Sequence, residues 1–450
     1  MTTKTRVPAK TKPKPKPASA RLAALDALVR IDDGAYAHIV VPAMLGRTRL
    51  DDRDRAFVTD LVYGTVRAQR RVDDLLARVV QRSLKRLDAP VRAALRLGAY
   101  QLLSDVPAHA AVGETVAAVV ARSPRARGFV NANLRALTRL GPPWPVSSDL
   151  GVALSYPDWL VERLIDELGA DTARDAMAAM NDPASVTLRP NPRLTTADAL
   201  EAELRDAGVH VERGALVSDS LLVRGIGDPA KLAAVRDGRA TPQDQGSQAV
   251  VAVLAPLAGD RVGDLAAAPG GKATAIGERV GDEGAVVALD IDAGRVRLVA
   301  GAATRLALDH VFPVVGDAES PPFGGRSFDR VLLDAPCSGI GVLRRRPDAR
   351  WQLREESIAE LASLQKRLLA AAAALVRPGG VLVYSVCTMT AEETLAVDDW
   401  AMHHLVEFDP LPAPATPWRP HGRGALLLPQ DAGTDGMYVL ALHRPSAVSV

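Results

Sequence analysis

Through the first third of the chain, apolar positions recur at intervals of three and four. Through the last half they cluster in short alternating or unbroken runs. The first pattern predicts amphipathic helices over Arg21–Arg30, Asp51–Arg67 and Val91–Leu103. In the last of these, Val91, Ala94, Leu95, Gly98 and Leu102 share one face. Asp51 and Asp52 supply an acidic helix start, and Gly141-Pro142-Pro143-Trp144-Pro145 closes the helical block as a linker. The stretch that follows is mixed: Pro157–Leu168 and Ala197–Ala207 read as helices, Ser185–Leu188 and Ser220–Arg224 as short strands. From about residue 243, strand-like runs at Val262–Ala266, Ala285–Leu289, Val311–Val315, Phe328–Leu333 and Val381–Ser385 alternate with helical stretches such as Lys272–Val280 and Ser357–Val376. This alternation predicts βαβ units, a mixed but mostly parallel sheet, and a ligand site at the carboxyl ends of the strands. The expected organisation is a basic tail (1–19), an all-α domain (20–145), a small α+β module (146–242) and an α/β Rossmann-like domain (243–450).

Composition narrows the picture. Of 450 residues, 48% are hydrophobic and 24% charged, which suits a globular chain with sizeable cores. The longest unbroken apolar run, Leu368 to Val376, is far short of the roughly 18 residues a membrane helix needs. The net charge of +2 conceals an uneven distribution. Residues 1–20 carry only basic ionisable side chains, five Lys and one Arg, leaving the rest of the chain net acidic. Pro8, Pro13, Pro15 and Pro17 disfavour helix in that tail, which reads equally as a solvated extension or as an arm for polyanions. The only two cysteines, Cys337 and Cys387, sit in no Cys-x-x-Cys pair, and the eight histidines show no ligand spacing. No metal site is expected, and a cytoplasmic location fits best.

The chemistry concentrates at strand ends. The run DLAAAPGGK (264–272) follows the first strand of the α/β domain and opens a helix. It is neither a Gly-x-Gly-x-x-Gly dinucleotide loop nor a P-loop, although its glycines permit close backbone approach to a ligand. Asp290 ends the second strand, where an acid can accept bonds from two ribose hydroxyls. Asp317 ends the third in Val-Val-Gly-Asp, where it could meet an adenine amino group. Each aspartate alone would also serve as a cap or turn residue. Three such features on consecutive strands point to an adenosine ligand without a pyrophosphate cradle, namely S-adenosylmethionine. Cys337, in Asp334-Ala-Pro-Cys-Ser-Gly, ends the fourth strand, and Cys387, in Tyr384-Ser-Val-Cys-Thr, ends the fifth. Both thiols are therefore expected in one pocket beside the cofactor.

The motifs DLAAAPGGK, VVALDID, VVGD, LLDAPCSG and YSVCT resemble those of the NOL/NOP/Sun type RNA 5-methylcytosine methyltransferases. The segments DRAFVTDLVYG (54–64) and GFVNANLR (128–135) resemble a NusB-like helical RNA-binding domain. Together they resemble bacterial members of the family that methylate one cytosine of small-subunit (16S) ribosomal RNA. The resemblance implies S-adenosylmethionine bound by Ala266, Ala267, Ala268, Pro269, Gly270, Gly271, Lys272, Asp290, Asp317 and Asp334. It also implies Cys387 as the nucleophile that adds to carbon 6 of cytosine, Cys337 assisting product release, Asp334 holding the base's N3 and amino edge, and a monomeric enzyme. Ala266 departs from the cysteine many relatives carry there. DNA enzymes of this chemistry use a Pro-Cys nucleophile, which Pro336-Cys337 matches, so the reverse assignment of the two thiols is the competing one. Arg344, Arg345, Arg346 and Arg350 are expected to hold phosphates, Trp351 to stack on a base or pack, and Arg189 and Asn191 to add weaker contacts. Other readings are a tRNA cytosine substrate, an exocyclic-amine methyltransferase and a noncatalytic NusB-like RNA-binding or antitermination factor. The second would carry Asp/Asn-Pro-Pro-Tyr/Phe in place of Asp-Ala-Pro-Cys, and the third a degraded cofactor loop.

Overall fold

The computed structural model describes residues 19–104 and 106–446; the expected basic tail lies almost wholly outside the described residues. Contacts divide the chain into two units, Met1–Val146 and Ser147–Val450. The first is helical, with long helices at Ala20–Asp32, Asp52–Arg67, Ala89–Leu103, Ala108–Val120 and Arg127–Thr138. The expected acidic start is present: the Asp51 carboxylate caps the second of these, accepting from the Asp54 amide at 2.8 Å. The predicted stripe on Ala89–Leu103 is buried, including Val91, Ala94, Leu95, Gly98 and Leu102.

The second unit holds two sheets. Strands β1 (Val186–Pro190), β2 (His210–Arg213), β3 (Leu221–Arg224) and β4 (Ala240–Pro242) form a small antiparallel sheet in the order β2-β3-β1-β4. Leu200 and Leu204 of helix Ala197–Asp206 close its apolar face over Leu188, Val211 and Leu221. The helices Asp158–Leu168 and Ala170–Ala179 do not join this core. Leu160, Leu164, Ala173 and Met177 pack into a core of the large sheet.

The large sheet contains β5 (Arg261–Asp264), β6 (Ala285–Asp290), β7 (Val311–Val315), β8 (Phe328–Asp334), β9 (Val376–Val386), β10 (Asp409–Pro410), β11 (Arg419–His421), β12 (Gly424–Leu427) and β13 (Met437–His443). Its order is β11-β12-β13-β9-β8-β5-β6-β7, with β10 paired to β13. The strands β5 to β9 are mutually parallel, and β13 joins β9 antiparallel. Period-two alternation sends Val331, Leu333, Leu382 and Tyr384 into one core and Leu332, Val381 and Val383 into the other. The chain leaves β5 toward β6 and β7, then returns to add β8 and β9 on the other side. The crevice at the carboxyl ends of β5 and β8 is thus the topological switch point where such sheets bind ligands. The antiparallel β10–β13 edge was not foreseen as strands.

Candidate active site

The turn after β5 is fixed by the strand beside it. The Ala267 amide donates to the Leu289 carbonyl at 2.9 Å and the Ala268 amide to Asp290 Oδ2 at 3.2 Å. Arg295 donates to the Ala268 carbonyl at 2.8 Å from the next helix. Gly270 then turns the chain at φ +107°, and a Cβ there would lie 3.1 Å from the Val299 Cα, so only glycine suits both the dihedral and the space. Ala266 is half-buried, Pro269 is exposed, and Gly271 and Lys272 open the helix Gly271–Val280. Asp290 is buried at the end of β6, where its other oxygen accepts from the Asp292 amide at 3.1 Å. Asp317 lies beyond the end of neighbouring β7, exposed, and accepts from the Glu319 amide at 2.9 Å.

At the end of β8, Asp334 is held by two partners. Lys272 Nζ stands 2.6 Å from Oδ2, and the Ser385 hydroxyl donates to Oδ1 at 2.7 Å. Against the penalty of burial, Asp334 holds the Lys272 ammonium above the usual lysine range, with Cys387 and Asp264 adding attraction. The sulfurs of Cys337 and Cys387 are 3.2 Å apart, so the expected convergence of the two thiols is met. A hydrogen bond to Cys387, then burial, then the nearby charges of Cys387, Glu393 and Asp334 push the Cys337 thiol well above its usual range. The Gly341 amide donates to the Cys387 carbonyl at 2.9 Å. A Cβ on Gly341 would sit 2.3 Å from the Gly436 carbonyl oxygen and 3.0 Å from that of Cys387, so the loop beyond Cys337 closes tightly over β9 and β13.

Several residues at this centre escaped sequence reasoning. Asp264 is 1% exposed, and no side chain among the described residues hydrogen-bonds its carboxylate, only the Ala266 amide drawing on it. Burial, with Asp334 next, pushes its carboxyl up to about 7. Ser385 and Glu393 had no signal beyond lying near a cysteine. Gln365 belongs to a helix, Glu356–Leu375, whose pattern speaks only of packing.

Arg189, Arg344, Arg345 and Arg350, four of the five arginines proposed for RNA, are engaged within the protein. Arg350 is fully buried, donates to the Ser155 carbonyl at 3.1 Å and to Asn181 Oδ1 at 2.9 Å, and stacks 3.9 Å over the Tyr156 ring. Arg345 bridges Asp435 at 2.8 Å and Asp244 at 2.5 Å, and buried Arg344 donates to the Gly433 carbonyl at 2.6 Å. Arg189 pairs with Glu278 at 2.7 Å, and Asn191 donates to the Gly238 carbonyl at 3.0 Å, both from buried positions. These five side chains bind the protein to itself; a run of basic letters cannot reveal acids brought in from elsewhere in the chain. Trp351 is half-buried. Among the described residues no group of His, Cys, Asp and Glu could hold a metal, and no helix is long and apolar enough to cross a membrane.

Comparison with known proteins adds three domain matches. Residues 251–443 match the 16S rRNA methyltransferase RsmB/F model, residues 18–139 the NusB family, and residues 156–228 the RsmF/B-like ferredoxin-like domain. A putative methyltransferase of Mycobacterium tuberculosis is 38% identical, covering 94% of this chain and 96% of its own. The ribosomal RNA small subunit methyltransferase B of Vibrio cholerae is 34% identical, covering 94% and 97%. The crystal structure of the protein PH0851 matches with a TM-score of 0.82 at 27% identity, covering 94% of this chain and 98% of that one.

Proposed function

The chain belongs to the RsmB/F family of 16S ribosomal RNA methyltransferases, and we propose that it methylates carbon 5 of a cytosine in small-subunit RNA through a covalent adduct on Cys387. The observation that carries this reading is the thiol pair: two sulfurs 3.2 Å apart, at adjacent parallel strand ends beside the Lys272–Asp334 pair. Amine methylation has no use for two thiols. Carbon 5 of cytosine, by contrast, is a poor nucleophile until a thiolate adds at carbon 6.

The site fits S-adenosylmethionine as methyl donor. The Gly270 turn leaves backbone free to approach a ligand, Asp290, held by the Ala268 amide at the end of β6, would accept from ribose hydroxyls, and the buried Asp264 carboxyl, without a side-chain partner, suits a cation. When bound, the donor supplies a methyl group on a sulfonium.

The charges around the thiols favour one division of labour. Glu393 and Asp334 act on Cys337 to keep its proton, while the Lys272 ammonium is attracted to Cys387. The Cys337 S–H can then donate to the Cys387 sulfur and leave Cys387 as nucleophile. Cys387 adds to carbon 6, the electron pair of the C5–C6 double bond moves to the ring, and carbon 5 takes the methyl. Once Cys387 is bonded to carbon 6, its hydrogen bond and charge no longer hold the Cys337 proton, which passes to water; Cys337 then accepts the carbon 5 proton while the double bond reforms and the C6–S bond breaks, returning the electron pair to Cys387. One proton leaves per turnover. Asp334, oriented by Lys272 and Ser385, faces the amino and N3 edge of a base flipped out of the RNA. The chain acts on its RNA as a monomer.

Unmodified small-subunit RNA incubated with the protein and the methyl donor, then digested for nucleoside mass spectrometry, is expected to yield 5-methylcytosine. A methyl group on any other atom, or on transfer RNA in preference, overturns the reading.

A further inference from the structure

Cys337 is gripped by the backbone on both its sides. Before it, the Pro336 carbonyl accepts from Gln365 Nε2 at 2.9 Å; after it, the Ser338 amide donates to Glu393 Oε1 at 2.9 Å. The same Gln365 nitrogen donates to Glu393 Oε1 at 2.9 Å, and the Thr390 hydroxyl donates to Oε2 at 2.9 Å. The Tyr384 hydroxyl lies 3.0 Å from Gln365 Oε1 and 2.8 Å from the Glu393 carbonyl, and the Ser338 and Thr388 hydroxyls meet at 2.8 Å. Glu393 and Gln365 are fully enclosed.

A buried carboxylate carries a desolvation penalty, and an apolar side chain would fill the space without it. Here three donors converge on the carboxylate, one of them the amide next to Cys337 and another the side chain that holds the preceding carbonyl. We propose that Glu393, with Gln365 behind it, is a positioning residue for product release: it fixes the Cys337 loop so that the thiol reaches the carbon 5 proton of the methylated adduct.

This role rests on the covalent reading above. The nucleophile is held by different bonds. Cys387 follows β9 directly, and its carbonyl accepts from Gly341. Loosening the Glu393 clamp should therefore spare attack and methyl transfer and slow elimination. Cys387 and Asp334 at the strand ends and Glu393 beneath the loop favour the protonated form of Cys337 at rest, so removing the Glu393 charge alone would ease loss of that proton and slower release in a Glu393 variant reports position instead; the Tyr384 hydroxyl supports the far side of the clamp.

The test uses the full-length Glu393→Gln variant with unmodified small-subunit RNA and labelled methyl donor. The first-turnover rate should match the wild type, while steady-state turnover falls about 10²-fold, the scale expected when a reacting group is misplaced by about an ångström. An SDS-resistant protein–RNA adduct should accumulate, as for Cys337→Ala, and the double variant should be no slower than Cys337→Ala alone. Wild-type turnover in Glu393→Gln, an equal fall in first-turnover and steady-state rates, or additive losses in the double variant would each overturn the assignment. Should Glu393→Gln prove unfolded on thermal melting, Gln365→Met, which removes the donor to both Pro336 and Glu393, is read by the same assays. A wild-type protein that makes no 5-methylcytosine defeats the covalent reading, and this role with it, before any variant is needed.

Discussion

Replacing Asp264 by asparagine tests whether a buried acid at the end of β5 holds its proton until a cation arrives. The carboxyl, 1% exposed, is pushed from 3.8 up to about 7, first by burial and then by Asp334. A rise of about three units is a difference of ~4 kcal/mol between the two protonation states. The folded chain binds this proton more tightly than the unfolded chain. The stabilisation is therefore complete below about pH 4, declines as pH rises toward 7, and is gone above it. Between pH 5 and pH 8 the wild type should lose ~3 kcal/mol through this one group, and Asp264→Asn should lose none of it. Guanidinium unfolding followed by tryptophan fluorescence reports on the relevant unit, since every tryptophan except Trp144 lies in Ser147–Val450. Any fixed penalty for burying an amide cancels when the two pH values are compared. The same linkage makes wild-type affinity for the cationic methyl donor rise with pH up to about 7, while that of the variant stays flat. A wild-type-minus-variant stability difference that does not change between pH 5 and 8 would refute the reasoning.

Cys387→Ala should abolish turnover without forming an adduct, whereas Cys337→Ala should trap RNA covalently; denaturing gels with labelled RNA read both, and an adduct with Cys387→Ala would reverse the two roles. Gly270→Ala places a Cβ 3.1 Å from the Val299 Cα at φ +107°. It should lower stability by about 1–3 kcal/mol and weaken methyl-donor binding, measured by calorimetry; unchanged affinity would detach this turn from the cofactor. Arg350→Ala removes a fully buried side chain stacked on Tyr156, and should lower stability by about 3 kcal/mol while leaving the RNA affinity of the folded protein intact. A selective loss of RNA binding would restore Arg350 to the RNA surface.

Where a residue's role depends on its own strand, the sequence was enough to place it. Asp290, Asp334, Cys337 and Cys387 could be set at carboxyl ends because alternating apolar runs mark strands, and strand ends share a crevice in a parallel sheet. The same logic missed β10 to β13, where β10, β11 and β12 are two to four residues long and only the four-residue helix Pro429–Ala432 separates β12 from β13. It misread Arg344, Arg345 and Arg350 because charge along a sequence says nothing of partners at Asp244, Asp435 or Asn181, brought in from distant segments. Glu393, Gln365 and Asp264 were silent for a related reason. Their importance lies in burial beside the thiols and in which backbone amides reach them, and neither has a period.

The convergence of the thiols follows from register rather than from the loops alone. Asp334 of β8 pairs with Ser385 of β9 in the parallel ladder, and the Ala335 amide still donates to the Ser385 carbonyl at 2.9 Å. The two chains therefore leave the sheet side by side. Cys387 follows its paired residue by two positions and Cys337 by three; the additional residue on the β8 side is spanned by the Pro336 turn that Gln365 secures. A shift of the β8–β9 register would displace the thiols along the strands by about 3 Å per residue, comparable to their present separation of 3.2 Å. A one-residue slip would exchange Val331 and Leu333 with Leu332 between the two cores, each packed around the present set, and would break the Ser385–Asp334 hydrogen bond. The chemistry at the strand ends is thus held in place by two apolar cores, Cys337 packing against one and Cys387 against the other.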